Sequence, residues 1–175
     1  MNLVMLLEMA AEAFPERVAV SAENKNYTYG QLLRAAWAAA AQFRESGCRY
    51  VALLDTSSVA VPIAIFGAAF AGIPYVPLNY RLTKPELDEL LARIAPAYLI
   101  ASDEYIRPLQ CPAAVQSVLR PEFLQRVIDI DAVPIAPESQ PEDIAIQLFT
   151  SGTTGKPKAA VLRHENLMSY ILGTV

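Results

Sequence analysis

The sequence predicts an α/β domain: a largely parallel sheet flanked by helices. Two observations carry this expectation. Strand-like apolar runs alternate with helix-like stretches along most of the chain, and runs such as residues 50–54 and 98–100 are apolar at every position. A continuously apolar strand belongs in a sheet covered on both faces, the usual state of a parallel sheet joined by helical crossovers.

The elements follow in order. Residues 2–13 suit an amphipathic helix that Pro15 ends, and residues 17–20 read as a strand. Asn24, Lys25 and Asn26 mark a turn. Thr28 is placed to cap a helix that runs to Gly47, a good stop signal. After the strand at 50–54 comes a stretch, 59–78, without a charged side chain. Its length is that of a membrane span. However, Pro62, Pro74 and Pro77 interrupt it, the last two barring a continuous helix, and no basic asymmetry flanks it closely. The expectation is a buried helix over 58–71, a turn at 72–74 and a short buried strand at 75–78, not a transmembrane segment.

Thr83 and Glu86 have capping-box spacing, which predicts a helix to about Ala95 with Pro96 ending it. Residues 105–140 are proline-rich, with short β-like runs at 115–119 and 127–130. A strand at 144–149 leads into a Gly/Thr-rich loop, and Ile171 and Leu172 end a further helical segment.

Composition narrows the function classes. The chain has 175 residues, 54% hydrophobic and 18% charged, with a net charge of −4. That supports a sizeable core and gives no reason to expect nucleic acid as a partner. Cys48 and Cys111 are far apart without a C-x-x-C pattern, so reduced buried thiols are expected. His164 is the sole histidine, which excludes a multi-histidine metal centre. The N-terminus lacks a basic region, apolar stretch and cleavage site, so the expected location is cytoplasmic.

The chemistry lies in Thr150-Ser151-Gly152-Thr153-Thr154-Gly155-Lys156-Pro157-Lys158, directly after an apolar strand. Gly152 and Gly155 free the backbone so that N–H groups can turn toward an anion. Hydroxyls on Thr150, Ser151, Thr153 and Thr154 add donors, and Lys158 offers a point charge for phosphate. The stretch is therefore a candidate polyphosphate cradle. It is not a Walker A loop, because its glycines are too close and proline follows Lys156.

This string, with Phe149 before it and His164-Glu165-Asn166-Leu167 after it, resembles the phosphate-loop signature of the adenylate-forming superfamily. That superfamily comprises acyl-CoA synthetases, fatty-acyl-AMP ligases, peptide-synthetase adenylation domains and luciferases. Two earlier blocks also resemble it, residues 27–32 and residues 71–79. Asn79-Tyr80-Arg81-Leu82 is more like acyl and aryl synthetases than amino-acid adenylation domains. Two positions depart from the pattern: Ala159 stands where glycine is usual, and Arg163 where threonine is usual. The alanine is harmless only if its φ is negative.

The resemblance implies a two-step reaction. A carboxylate, with a fatty acid as the expected substrate, attacks the α-phosphorus of ATP to give acyl-AMP and pyrophosphate. A thiol of CoA or an acyl carrier protein then takes the acyl group. The loop would hold the β- and γ-phosphates with Mg²⁺ as partner. The resemblance further implies that residues 1–175 are the N-terminal part of the large ATP- and acyl-binding domain, truncated. The small C-terminal domain and its catalytic lysine would then lie in a missing remainder, and this part alone would be inactive.

Two rival readings stand beside it. One is a non-catalytic fragment that assembles with the rest of a cleaved enzyme; the other is a nucleotide-hydrolysing module, against which the loop spacing weighs. Other polar residues read as structural. His164 sits near a helix start, Trp37 suits core packing, and Glu86, Asp88 and Glu89 favour a helix N-terminus. Asp129 and Asp131 share one face of a possible strand end.

Overall fold

A computed structural model of the chain describes residues 1–150 and 158–174. The N-terminal helix α1 (Val4–Ala13) precedes a hairpin of β1 (Val18–Ala22) and β2 (Lys25–Thr28). Helix α2 (Tyr29–Ser46), strand β3 (Tyr50–Leu54), helix α3 (Ala60–Ala71) and strand β4 (Tyr75–Pro77) follow. Helix α4 (Lys84–Ile94), strand β5 (Ala97–Ala101), the short α5 (Asp103–Ile106), strand β6 (Val115–Leu119) and helix α6 (Arg120–Val127) come next. Strands β7 (Ile144–Thr150) and β8 (Lys158–Arg163) and helix α7 (His164–Gly173) complete the described chain.

The principal sheet has the order β6-β5-β3-β4-β7-β8. Neighbours from β6 to β7 are parallel, and β8 alone runs antiparallel, against β7. The expected largely parallel sheet is therefore present. Alternate residues of its central strands enter two separate cores. Val51, Leu53, Tyr98 and Ile100 pack with α1, α2, α3 and α6, while Ala52, Leu54, Leu99 and Ala101 pack with α4. Coverage of both faces is why these strands are apolar at every position.

Local chemistry sets the helix ends. The Thr28 hydroxyl accepts from the Gln31 N–H at 3.2 Å, and the Gln31 side chain accepts from the Thr28 N–H at 2.9 Å, a reciprocal cap on α2. Gly47 ends that helix with a left-handed φ of 66°, a conformation in which a side chain is penalised. The uncharged stretch divides as expected into α3, a turn and β4. No helix among the described residues is long and apolar enough to cross a membrane.

Four expectations change. Residues 127–130 are not a strand: α6 occupies 120–127, and Asp129 has a φ of 57°. The apolar residues Phe123 and Val127 lie four apart on one buried helix face, which outweighs the local alternation. Asp129 and Asp131 accordingly do not share a strand face. The first hairpin turns at Glu23 and Asn24, both at positive φ, as a two-residue turn between right-twisted strands requires; Lys25 and Asn26 already belong to β2. Residues 158–163 form a strand that was not expected. Cys48 and Cys111 are free but only half-buried.

Helices α2 and α3 cross closely at Gly67. A Cβ there would lie 2.7 Å from the Ala39 Cβ and 3.1 Å from the Phe43 ring. Trp37, on α2, meets Phe70 edge-on with ring centroids 6.5 Å apart, so it serves packing as expected.

At the start of α7, His164 is 1% exposed. Its Nδ1 accepts from the Leu3 N–H at 3.3 Å, and the backbone N–H of His164 donates to the Asp143 carbonyl at 3.1 Å. Burial holds the imidazole below its ordinary pKa; Asp143 partly offsets this and the N-terminal amino group adds to it.

Two outcomes follow from this packing. Gly67→Val overfills the α2–α3 crossing and should destabilise the protein by about 1–3 kcal/mol, read as a lower denaturant midpoint. For His164, the unfolded chain binds a proton more readily than the folded one. The residue's contribution is therefore intact above about pH 6.5 and is lost as pH falls from there toward the folded pKa. Unfolding free energy should decline as pH falls below about 6.5, and His164→Asn should flatten that decline.

Candidate functional site

In an open parallel sheet, the backbone and the first residues beyond the strands are most accessible at the carboxyl edge, where ligands bind. Strands β3, β4 and β7 end side by side there. Between their ends lies an open cleft of about 320 Å³. Its lining is mainly apolar, including Leu78, Leu82, Leu148 and Phe149, with Asp55, Asn79 and Tyr80 as polar members. An apolar depression with a few placed polar groups is the usual form of a small-molecule site.

Asp55 directly follows β3, and its side chain is only 2% exposed. Arg120, at the start of α6, places its Nε 3.3 Å from the Asp55 carboxylate and its Nη1 3.2 Å from Glu23. The pair joins the ends of β3 and β6 to the β1–β2 hairpin, and it compensates a charge that would be costly to bury alone. Beside the cleft, Tyr80 stacks on Tyr105 at a centroid separation of 5.2 Å. The Arg81 guanidinium lies 5.5 Å from the Tyr80 ring, and that of Arg93 lies 5.1 Å from the Phe149 ring. Sequence reasoning missed Asp55 and Phe149 as cleft residues. A charged residue immediately after a fully apolar strand was the available signal for Asp55.

Of the expected phosphate-binding residues, Thr150 and Lys158 are described. Ser151, Gly152, Thr153, Thr154 and Gly155 lie outside the described residues. Thr150 ends β7, Lys158 begins β8, and the two are direct partners in the antiparallel ladder. The Thr150 hydroxyl donates to the Lys158 carbonyl at 3.4 Å. Both residues are exposed, so the ammonium group of Lys158 retains access to solvent. The flanks of the Gly/Thr-rich stretch are thus brought together at the carboxyl edge, next to Phe149 and the cleft.

The departures from the family pattern are accommodated. Ala159 lies within β8, opposite Phe149, and does not have a positive φ, so its methyl group causes no backbone strain. Arg163 caps α7 through its backbone: its N–H donates to the Asn166 side-chain oxygen at 3.1 Å. Its guanidinium donates to the Glu142 carbonyl.

An exposed lysine at the end of the Gly/Thr-rich stretch offers the charge that an anionic phosphate needs. A metal is another matter. Among the described residues, no group of three or more His, Cys, Asp or Glu is placed to hold one.

Comparison with known proteins bears on the family and the fold. The family model described as AMP-binding enzyme matches residues 7–175. A feruloyl-CoA synthase of an Amycolatopsis species is 33% identical over 163 residues, covering 90% of this chain and 32% of the relative. A fatty acid–[acyl-carrier-protein] ligase of Streptomyces coeruleorubidus is 30% identical over 176 residues, covering 96% of this chain and 34% of the relative. Among solved structures, a Mycobacterium tuberculosis fatty acyl CoA synthetase superposes with a TM-score of 0.81 at 26% identity, over 94% of this chain and 35% of that one. The chain therefore spans about a third of the length of these relatives. A largely parallel sheet whose strand β7 leads into a Gly/Thr-rich sequence and a family match over residues 7–175 have one common explanation: the chain belongs to the AMP-binding enzyme family.

Proposed function

We propose that this chain supplies the phosphate-binding part of a cytoplasmic ligase that uses ATP to activate a carboxylic acid. The observation that carries the reading is the pairing of Thr150 with Lys158 at the carboxyl edge of the parallel sheet. That pairing draws the ends of the Gly/Thr-rich stretch together beside an apolar cleft. The acid's carboxylate oxygen forms a bond to the α-phosphorus of ATP as the bond to pyrophosphate breaks, leaving an acyl-AMP. A thiol, of CoA or of a carrier protein, then displaces AMP.

The chain's own contribution is positioning and charge neutralisation. The departing pyrophosphate gains negative charge, and groups aimed at it lower the barrier only if they are already in place. In this reading, Lys158 contributes the charge, Thr150, Ser151, Thr153 and Thr154 contribute hydroxyl donors, and Gly152 and Gly155 free backbone N–H groups. Mg²⁺ would arrive on the nucleotide's phosphates, its usual mode of binding; no residue of this chain is assigned to it. The remainder of the large domain and the small C-terminal domain are assigned to polypeptide beyond residues 1–175.

A fatty acid is our proposed substrate. The apolar cleft lining supports it, as do the Streptomyces fatty acid ligase and the Mycobacterium fatty acyl CoA synthetase among the relatives. The feruloyl-CoA synthase makes an aryl acid the competing choice.

Acid-dependent ATP–pyrophosphate exchange by the full-length protein tests this function, with fatty, aryl and amino acids offered separately. Exchange with fatty acids is expected. Exchange only with amino acids would overturn the lipid assignment, and none with any acid would overturn the activity. Lys158→Ala should raise the KM for ATP by about 10- to 100-fold, the loss of one charged hydrogen bond. The fold should persist because Lys158 is exposed, and unchanged exchange kinetics would remove Lys158 from the cradle.

A further inference from the structure

We draw no further inference here: the strongest candidate, the exposed apolar stripe that Met1, Met5 and Met9 form along α1 and its approach, carries nothing, because the chain spans about a third of its relatives' length and nothing in the structure shows what covers that face.

Discussion

The site depends on how β7 is held. The strand lies parallel to β4 on one side, where Tyr75 faces Ile146, and antiparallel to β8 on the other. The β4 side belongs to the doubly covered sheet, whose burial on both faces dominates the stability of the fold. The β8 side carries a strand that is exposed in this chain and the Gly/Thr-rich stretch proposed to bind phosphate. β7 is therefore the joint between the buried scaffold and the Gly/Thr-rich stretch proposed to hold phosphate. Preorganised donors act only if they need not move during reaction, so the docking of β7 has functional as well as structural weight.

That joint explains the polarity of the arrangement. Each parallel strand brings its carboxyl end to the same edge, so Asp55, Asn79 and Thr150, remote in sequence, become neighbours of one cleft region. The buried Asp55–Arg120 pair ties that edge to the first hairpin. Aromatic contacts at Tyr80 and Phe149 line its approach. The cleft is a product of topology, in which β4 and β5 flank β3 and the chain returns to add β7 outside β4.

The same distinction separates what was legible in the sequence from what was not. β3 and β5 announced themselves because burial on both faces demands an unbroken apolar run. Thr28 and Gly47 bounded α2 because capping chemistry is local. β8 gave no such signal: Lys158-Ala159-Ala160-Val161-Leu162-Arg163 has neither a buried face nor strong alternation, and becomes a strand by pairing with β7. Helix α6 was hidden by its short length and by the alternation of residues 127–130. The Gly/Thr-rich stretch was recognisable from its own composition, but the cleft beside its flanks was not. Asp55 and Arg120 meet only once β3 and β6 take their places in the sheet. The structural role read for His164 agrees with its burial, yet its bond to Leu3 spans nearly the whole chain and leaves no local trace.

The central claim is that residues 150–158 are where this protein holds the phosphates of ATP. Backbone hydrogen exchange in the full-length protein, with and without MgATP, tests it most directly. The account predicts that exchange slows between Thr150 and Lys158 on nucleotide addition, and that Lys158→Ala weakens the protection. Unaltered exchange across those residues, under conditions where nucleotide is bound, would contradict it.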